Sequence, residues 1–252
     1  MKIYPLGVGG AFTKSNYHNN YIIHLDEKYM LIDAGTTLRY SLFEAGFNYG
    51  DIHFVFISHL HFDHVGGLEE LVLQRYWQFE EGKHAPKKTT VIVHKKLLPS
   101  LRALLRNGLE NQGRTVDDFC NFICLNDNET YKIGDYAFSI FDTSNAHVEG
   151  MLSFGFKLAW KDLNIVFSGD VKRLQDANLL GQVDQNTAAI FQDVSFTFNG
   201  AHATLQEVLD YYPENLRRKI YAMHYNDDIE KFIDMIEQAQ TKLVRKQEMI
   251  EF

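Results

Sequence analysis

Short apolar runs rich in β-branched and aromatic residues alternate along the chain with longer segments in which apolar residues recur every three or four positions. The short runs predict β-strands, at residues 2–7, 20–25, 29–35, 52–59, 89–94, 136–143, 152–160, 163–170 and 188–196. The longer segments predict helices, at residues 36–46, 68–79, 97–109, 204–216 and 227–240. Because strands and helices are interleaved, we expect an α/β fold with helices outside its sheets.

Length and composition narrow the class of protein. A chain of 252 residues suits a single domain over residues 1–252, and 45% hydrophobic with 23% charged residues is typical of a folded globular protein. No apolar run approaches the roughly 18 residues of a membrane span, and the first ten residues do not resemble a signal peptide. We therefore expect no membrane association and a cytoplasmic location.

The charge of the chain bears on its partner. The formal net charge is −8, and the basic residues form only short clusters such as "KHAPKK" and "LRRKI". A protein that binds a long polyanion usually presents a basic stripe, because neutralised phosphates supply most of the affinity. The sequence therefore favours a small anionic substrate over a large nucleic acid.

Two cysteines, Cys120 and Cys124, lie four residues apart in "DFCNFICL". They could share a metal ion, but a structural zinc site usually shows more Cys and His ligands. Free cysteine is among the most buried residue types, so we expect both to pack in the core.

The stretch "ISHLHFDHVGG" concentrates ligand-type side chains between a predicted strand and a predicted helix. We expect a strand-to-helix loop, at the sheet edge where α/β sites form. There His59 and His61 can converge on one metal, while Asp63 and His64 point toward a second, and zinc or manganese suits such ligands. Gly66–Gly67 would let the backbone turn tightly behind the site.

A two-metal site needs further ligands, and three later residues at the ends of apolar strands can supply them. These are His147 in "SNAHVEG", Asp170 in "IVFSGD" and His224 in "IYAMHYND". A carboxylate in the position of Asp170 can bridge two metals. His94, after "TTVIV", is the alternative to His147.

The order "HLHFDH", His147, "SGD" and His224 resembles the metallo-β-lactamase superfamily over nearly the whole chain. The resemblance implies an αββα sandwich, in which two mixed β-sheets are flanked by helices, and a pair of metal ions, either Zn²⁺ or Mn²⁺. It implies a first metal held by His59, His61 and His147, a second held by Asp63, His64 and His224, and Asp170 as the bridge between them.

Within the superfamily, "FQDVSFTFNGAHATLQEV" resembles the branch of transfer-RNA 3′-processing endonucleases and related phosphodiesterases. That resemblance implies that Asp193 orients His202 and that His202 protonates the leaving oxygen. As a hypothesis about mechanism, Asp63 orients the nucleophile as well as binding metal. The alternative is that His202 only begins a helix. The short segment between His147 and Asp170 leaves no room for the RNA-gripping arm of the bacterial nucleases.

The layout with "GVGGAFTKSNYHNN" and "GAHATLQEV" is most similar to the anti-Pycsar phosphodiesterases. That similarity implies a homodimer that hydrolyses 3′,5′-cyclic nucleotides, notably cyclic CMP and cyclic UMP. Candidates for stacking on the base are Tyr17, Phe62 and Tyr225, unless they pack in the core. The alternatives are an RNA 3′-end nuclease, a lactone or thioester hydrolase, and a non-catalytic scaffold of the same fold.

Overall fold

The computed structural model describes residues 1–252 and contains sixteen β-strands and eight α-helices. The strands are β1 (Lys2–Gly7), β2 (Asn20–Leu25), β3 (Lys28–Ile32), β4 (Ile52–Phe56), β5 (Phe79–Glu80), β6 (Lys83–His84), β7 (Thr89–His94), β8 (Cys120–Leu125), β9 (Thr130–Ile133), β10 (Tyr136–Asp142), β11 (Phe154–Trp160), β12 (Leu163–Phe167), β13 (Thr187–Asp193), β14 (Ile220–Met223), β15 (Lys242–Leu243) and β16 (Ile250–Glu251). The helices are α1 (Leu38–Glu44), α2 (Phe62–Val65), α3 (Leu68–Tyr76), α4 (Leu98–Leu109), α5 (Val116–Phe119), α6 (Leu205–Tyr211), α7 (Glu214–Arg217) and α8 (Ile233–Gln238).

The strands form two seven-stranded mixed sheets and the small hairpin β5–β6. The first sheet has the order β16-β1-β2-β3-β4-β7-β8, antiparallel from β1 to β3 and parallel from β3 to β8. The second has the order β15-β14-β13-β12-β11-β10-β9, antiparallel from β9 to β12 and parallel from β12 to β15. Each half of the chain therefore builds an antiparallel meander that continues into parallel strands.

The two sheets stack face to face through buried aromatic side chains. The ring of Phe56 on β4 lies 5.4 Å from Phe138 on β10 and 5.2 Å from Phe156 on β11, measured between centroids. Tyr21 on β2 meets Phe167 on β12 at 5.3 Å. Each ring buries a large apolar area, so this layer supplies much of the hydrophobic driving force for folding.

Helices cover the outer faces of both sheets. Because alternate strand residues point to opposite faces, Phe191 of β13 enters the inner core while Ile190 enters a second core with Leu205 and Val208 of α6. On the other side, Leu71 of α3 joins the core of the first sheet. The four layers confirm the predicted αββα sandwich. None of the helices has the length and apolar character needed to cross a bilayer.

Two predicted helices are interrupted. The helix predicted over residues 204–216 ends at Tyr211, and α7 begins after Pro213. Proline cannot donate a backbone hydrogen bond and forces the preceding residue into extended geometry, as seen for Tyr212 with ψ 131°. The helix predicted over residues 227–240 begins as a 3₁₀ turn, Ile229–Phe232, before α8.

Some strands were not predicted at all. The segment "CNFICL" forms β8, which pairs in parallel with β7. At the other sheet edges lie β9, which pairs with β10 in the second sheet, and the two-residue strands β15 and β16. These edge strands are short or carry mixed residues, so their apolar pattern is weak, and pairing with a neighbouring strand specifies them instead.

Candidate metal centre

Most of the predicted ligands follow the carboxyl ends of the parallel strands β4, β12 and β14, and His147 follows the antiparallel strand β10. The first group follows β4: His59 lies in the connection, His61 caps α2, and Asp63 and His64 lie within that helix. The prediction that Asp63 and His64 lie in a loop was therefore wrong, because the segment forms one helical turn. That turn presents both side chains toward the buried side.

The later ligands reach the same edge from the second sheet. His147 lies in the connection between β10 and β11, Asp170 follows β12 by three residues, and His224 directly follows β14. His94 belongs to none of these groups. Its Nε2 lies 3.5 Å from Asp127 and its ring stacks on the core, so the structure brings His147 and not His94 to the centre.

The first cluster consists of His59, His61, His147 and Asp170. His61 Nδ1 lies 3.0 Å from His59 Nε2 and 3.2 Å from His147 Nε2. Asp170 Oδ2 lies 3.9 Å from His59 Nε2 and 3.8 Å from His147 Nε2. One potential ligand atom from each residue thus points at a common position.

The second cluster consists of Asp63, His64, His224 and Asp170. Asp63 Oδ2 lies 3.3 Å from the Nε2 atoms of both histidines. Asp170 Oδ2 lies 3.2 Å from His64 Nε2 and 3.3 Å from His224 Nε2. The same Asp170 oxygen therefore faces both clusters, which is the placement expected of a bridging ligand.

Hydrogen bonds behind the ligands set which ring nitrogens remain free. Asp33 Oδ2 accepts from His64 Nδ1 at 2.8 Å and from the Ser58 hydroxyl at 2.7 Å. Because that hydroxyl donates to Asp33, it accepts from His59 Nδ1 at 3.0 Å. His147 Nδ1 donates to the Ala201 carbonyl at 2.7 Å. These bonds place the proton on Nδ1 and leave Nε2 with a free lone pair, the arrangement of metal-binding histidines.

The donor set fits divalent metal ions. Buried atoms without a hydrogen-bond partner include Asp63 Oδ1, Asp170 Oδ1 and His64 Nε2. Leaving such atoms unpaired costs about 1–3 kcal/mol each, or more for charged groups, unless an ion or water binds them. Imidazole and carboxylate ligands in two clusters suit Zn²⁺ or Mn²⁺.

The electrostatics of the cluster agree with metal binding except at His64, where burial opposes the charge but Asp170 and Asp33 raise the pKa well above its usual value, so a metal would have to displace the proton on Nε2. Burial lowers the pKa of His59 well below its usual value and also lowers the pKa of His61. Burial opposes the charges on Asp63 and Asp170, but the neighbouring histidines hold the pKa of both carboxyls far below their usual range. Neutral imidazoles and ionised carboxylates are the forms that bind metals.

Beside the clusters, Asp193 and His202 form the predicted pair. His202 Nδ1 donates to Asp193 Oδ2 at 2.8 Å, and the His202 ring lies 4.7 Å from the His224 ring. Burial opposes the charge on His202, yet Asp193 raises the pKa of the imidazole to about 9. His202 precedes α6, which starts at Leu205, so it is not a helix residue.

Close backbone packing holds the metal-binding helix in place. The Ala34 N–H donates to the His64 carbonyl at 2.6 Å, and the Gly67 N–H donates to the Ala34 carbonyl at 2.7 Å. A Cβ at Gly67 would overlap the Gly35 carbonyl, and a Cβ at Gly66 would overlap Thr36. The glycine pair is needed for this close approach, since neither residue has a positive φ.

The sequence prediction did not give a role to Asp33, which supports ligands of both clusters. The signal was present, because Asp33 ends an apolar strand in "LIDAG", as Asp170 does in "IVFSGD". The cysteines lie on β8, outside both clusters and the Asp193–His202 pair. Cys120 is buried and Cys124 is half-buried, as packing predicts.

Solved structures with a similar fold cover this chain almost completely. The metallo-β-lactamase fold protein YhfI from Bacillus subtilis has a TM-score of 0.72 and 13% identity, covering 99% of both chains. A diphosphatase of the PhnP family has a TM-score of 0.73 and 14% identity, covering 100% of this chain and 97% of that chain. Short-form human tRNase Z has a TM-score of 0.69 and 16% identity, covering 100% and 99%. The chain therefore has the metallo-β-lactamase fold, with a candidate metal centre of two His/Asp clusters.

Sequence comparison shows the family. The family model described as Anti-Pycsar protein Apyc1 matches residues 1–250, and the chain belongs to this family. Relatives of that name include a protein of Bacillus phage vB_BsuM-Goe3, 30% identical over 246 residues, and one of Paenibacillus harenae, 31% identical over 235 residues. Each alignment covers 92% of this chain and 92% of the relative. The resemblance drawn from the sequence is confirmed at the level of the family.

Proposed function

We propose that the protein is a binuclear metal-dependent phosphodiesterase that opens 3′,5′-cyclic nucleotides, notably cyclic CMP and cyclic UMP, to nucleoside monophosphates. In a cell this activity would counteract Pycsar antiphage signalling, the process named by the family. The observation that carries the proposal is the single Asp170 oxygen facing two ligand clusters. Such a site can hold two divalent ions beside His202, a potential proton donor.

Each group of site residues has its own role in the proposed reaction. Divalent ions held by the two clusters would neutralise charge on the phosphoryl oxygens and lower the pKa of a bound water. Asp63, with Oδ1 unpaired and buried, orients the water for attack on phosphorus. His202 donates a proton to the departing 3′ oxygen, because an alkoxide is a poor leaving group at neutral pH. Asp193 holds the His202 ring with Nδ1 turned away from substrate, so that Nε2 carries the proton to be delivered.

The shape and charge of the molecule favour a small substrate over RNA. Between His147 and Asp170 the only strands are β11 and β12, which are joined by a two-residue turn. The last residue of β11, Trp160, pairs with the first residue of β12, Leu163. This segment has no protruding arm. With a net charge of −8, the chain also lacks the excess of basic residues typical of a long polyanion's partner.

Hydrolysis of a defined panel tests the proposal. The metal-loaded protein is incubated with 3′,5′-cyclic CMP, UMP, AMP and GMP and with a 3′-extended precursor transfer RNA, each with and without chelator. We expect chelator-sensitive release of nucleoside monophosphates, with the RNA left intact. Cleavage of the RNA alone would replace the proposal by an RNA-processing role. Absence of any phosphodiester hydrolysis would leave lactones and thioesters to be tested.

We extend the proposal to a cytoplasmic homodimer. The hairpin β5–β6 and the residues before it expose the aromatic side chains of Trp77 and Phe79. Exposed apolar groups of this size are typical of contact surfaces. Light scattering at micromolar concentration is expected to give twice the chain mass, and a Trp77→Ser/Phe79→Ser variant is expected to give a monomer. A wild-type monomer would exclude the dimer.

A further inference from the structure

Exposed apolar side chains occur in the chain segments that carry the site residues. Four exposed apolar side chains belong to segments that also carry site residues or line the site: Phe12, Phe62, Val148 and Phe198. Phe62 lies between His61 and Asp63 in the sequence, and Val148 follows His147. Exposed apolar side chains beside a cluster of charged groups are typical of a site whose ligand has one charged end and one apolar face.

A cleft of about 170 Å³ lies on one side of the centre. Its floor includes His202 and His224, one wall is Gly10 to Phe12, and the other includes Asn199 and Ala201. The volume is below the roughly 300–1,000 Å³ of pockets that enclose drug-sized ligands. The cleft therefore suits one part of a small ligand, such as a single ring system, beside the metals.

Phe12 forms the apolar wall of this cleft and is 87% exposed. Its ring is supported from behind by Phe62, with centroids 6.2 Å apart, and Phe62 in turn packs against His18 at 5.7 Å. His18 Nε2 lies 3.2 Å from the Ala11 carbonyl, to which it donates. One buried histidine thus fixes both the backbone before Phe12 and the ring behind it.

A second contact fixes the far side of the same turn. The Asp227 carboxylate accepts from the Thr13 hydroxyl at 2.5 Å and from the backbone N–H groups of residues 14–16 at 2.6–3.2 Å. The Gly10 N–H donates to the Tyr225 carbonyl at 3.0 Å. The turn is therefore tied to the segment that carries His224, and the backbone that presents Phe12 to the cleft has little freedom to lose on binding.

We propose that Phe12 is a base-stacking, specificity-determining residue, which holds the nucleobase of a cyclic nucleotide in the cleft while the phosphate faces the metal clusters. This inference rests on the proposed function. The other stacking candidates do not fill this role: Tyr17 lies outside the cleft with its hydroxyl on Glu44, and Tyr225 is buried with its hydroxyl on Val244. Phe62 supports Phe12 and does not line the cleft.

Stacking alone recognises an aromatic face and no particular base. The stacked base stays in place during reaction, so its loss should weaken binding in the ground state and the transition state alike and raise KM with little change in kcat. Removal of an aromatic stacking partner corresponds to about 5–150-fold in affinity.

The test compares cyclic CMP with a base-free analogue, 1-deoxyribose 3′,5′-cyclic phosphate, in the metal-loaded full-length protein. We expect Phe12→Ala to lower the ratio of kcat/KM for cyclic CMP to kcat/KM for the analogue by about 10-fold, mainly through KM. Phe12→Trp should restore the ratio, and Phe12→Leu should not. Phe43→Ala, at an exposed phenylalanine on α1, is the matched control and should leave the ratio unchanged.

The outcomes separate this inference from the proposed function. Wild-type protein that hydrolyses neither compound would refute the proposed function. Hydrolysis of both, with the same ratio in wild type and Phe12→Ala, would refute the role of Phe12 alone. An unchanged ratio with an altered molecular mass in light scattering would instead place Phe12 in a subunit contact, which also overturns the inference.

Discussion

The Nδ1 atom of His64 lies 2.8 Å from Oδ2 of Asp33, a buried carboxylate at the end of the neighbouring strand β3. The same oxygen accepts from the Ser58 hydroxyl, which in turn contacts His59. One carboxylate therefore orients a ligand of each cluster. A side chain that binds no metal itself thus couples the geometry of the two sites.

We expect Asp33→Asn to weaken both sites together. Asp33 Oδ1 accepts from the Ser58 N–H and Oδ2 accepts from both His64 and the Ser58 hydroxyl, so an amide, which accepts at only one of the two positions, turns its NH₂ group toward a donor at the other. Changes in such supporting residues usually cost about 10–100-fold in metal affinity or activity. Metal content after dialysis against a weak chelator, measured by mass spectrometry, checks this. Asp210→Asn, at an exposed carboxylate on α6, is the control; equal retention by both variants would contradict the role of Asp33.

The sequence predicts the residues of this site that belong to a local pattern, but not those whose partners are distant in the chain. The four ligand-type residues within six positions of "HLHFDH" are a dense local pattern, and the later ligands each follow an apolar strand. Asp33 has the same placement but belongs to no dense pattern. Its partners Ser58 and His64 are 25 and 31 residues away, so only the folded arrangement of β3 and β4 shows the contact.

The strands predicted best are those with a clear apolar pattern in the sequence. Buried parallel strands such as β4 and β7 are nearly continuous apolar runs and were found from the sequence. The edge strands β15 and β16 contain two residues each, which is too short for any periodicity. The stop at Pro213 was readable in principle, since proline is unfavourable within a helix by about 3 kcal/mol.

Removing the shared ligand should differ from removing a ligand of one cluster. Asp170 Oδ2 faces both clusters, whereas His147 belongs only to the first. We expect Asp170→Ala to lose both metals and all activity, and His147→Ala to retain about half the metal of the wild type. Metal counting by mass spectrometry on folded protein, confirmed by circular dichroism, checks the difference. Full metal content in Asp170→Ala would refute the bridging role.

His202 should affect turnover and not metal content. Its ring lies beside the clusters. Because Nδ1 donates to Asp193 at 2.8 Å, that nitrogen is not free to bind a metal. Loss of a general acid typically lowers the rate by about 10²–10⁴-fold, so we expect His202→Ala to reduce kcat in that range with two metals still bound. A substrate with a good leaving group, such as bis(p-nitrophenyl) phosphate, should be much less affected. Equal losses on both substrates would argue against proton donation.

The glycine pair after the metal-binding helix should tolerate no side chain. A Cβ at Gly67 overlaps the Gly35 carbonyl, which is backbone and cannot rotate away. Overpacking of this kind usually costs about 1–3 kcal/mol, and here it would also push α2 off the Ala34 contacts. Urea denaturation of Gly67→Ala measures the loss. Gly200→Ala, where an added Cβ meets no atom, is the control and should unfold like the wild type.

The hydrogen bonds by which the Asp227 carboxylate holds the turn after Phe12, here called the clamp, should weaken in acid. Burial opposes ionisation of Asp227, but hydrogen bonds from Thr13 and from Lys14 hold its pKa at about 2, below the usual 3.8. A carboxyl with a lowered folded-state pKa contributes stability above its unfolded pKa and loses it as the pH falls through the folded value. Because the residue is exposed, we expect a contribution of about 1 kcal/mol or less.

Asp227→Asn should therefore unfold at lower urea concentration than wild type at pH 6, and the difference should shrink as the pH falls from about 4 toward about 2. Asp228→Asn, at a neighbouring carboxylate bonded only to Lys231, serves as the control and should show little difference at either pH. Because the clamp also presents Phe12, the Asp227→Asn variant should raise KM for cyclic CMP more than for the base-free analogue. A stability difference that persists unchanged at the lowest pH would show that the charge of Asp227 does not hold the turn.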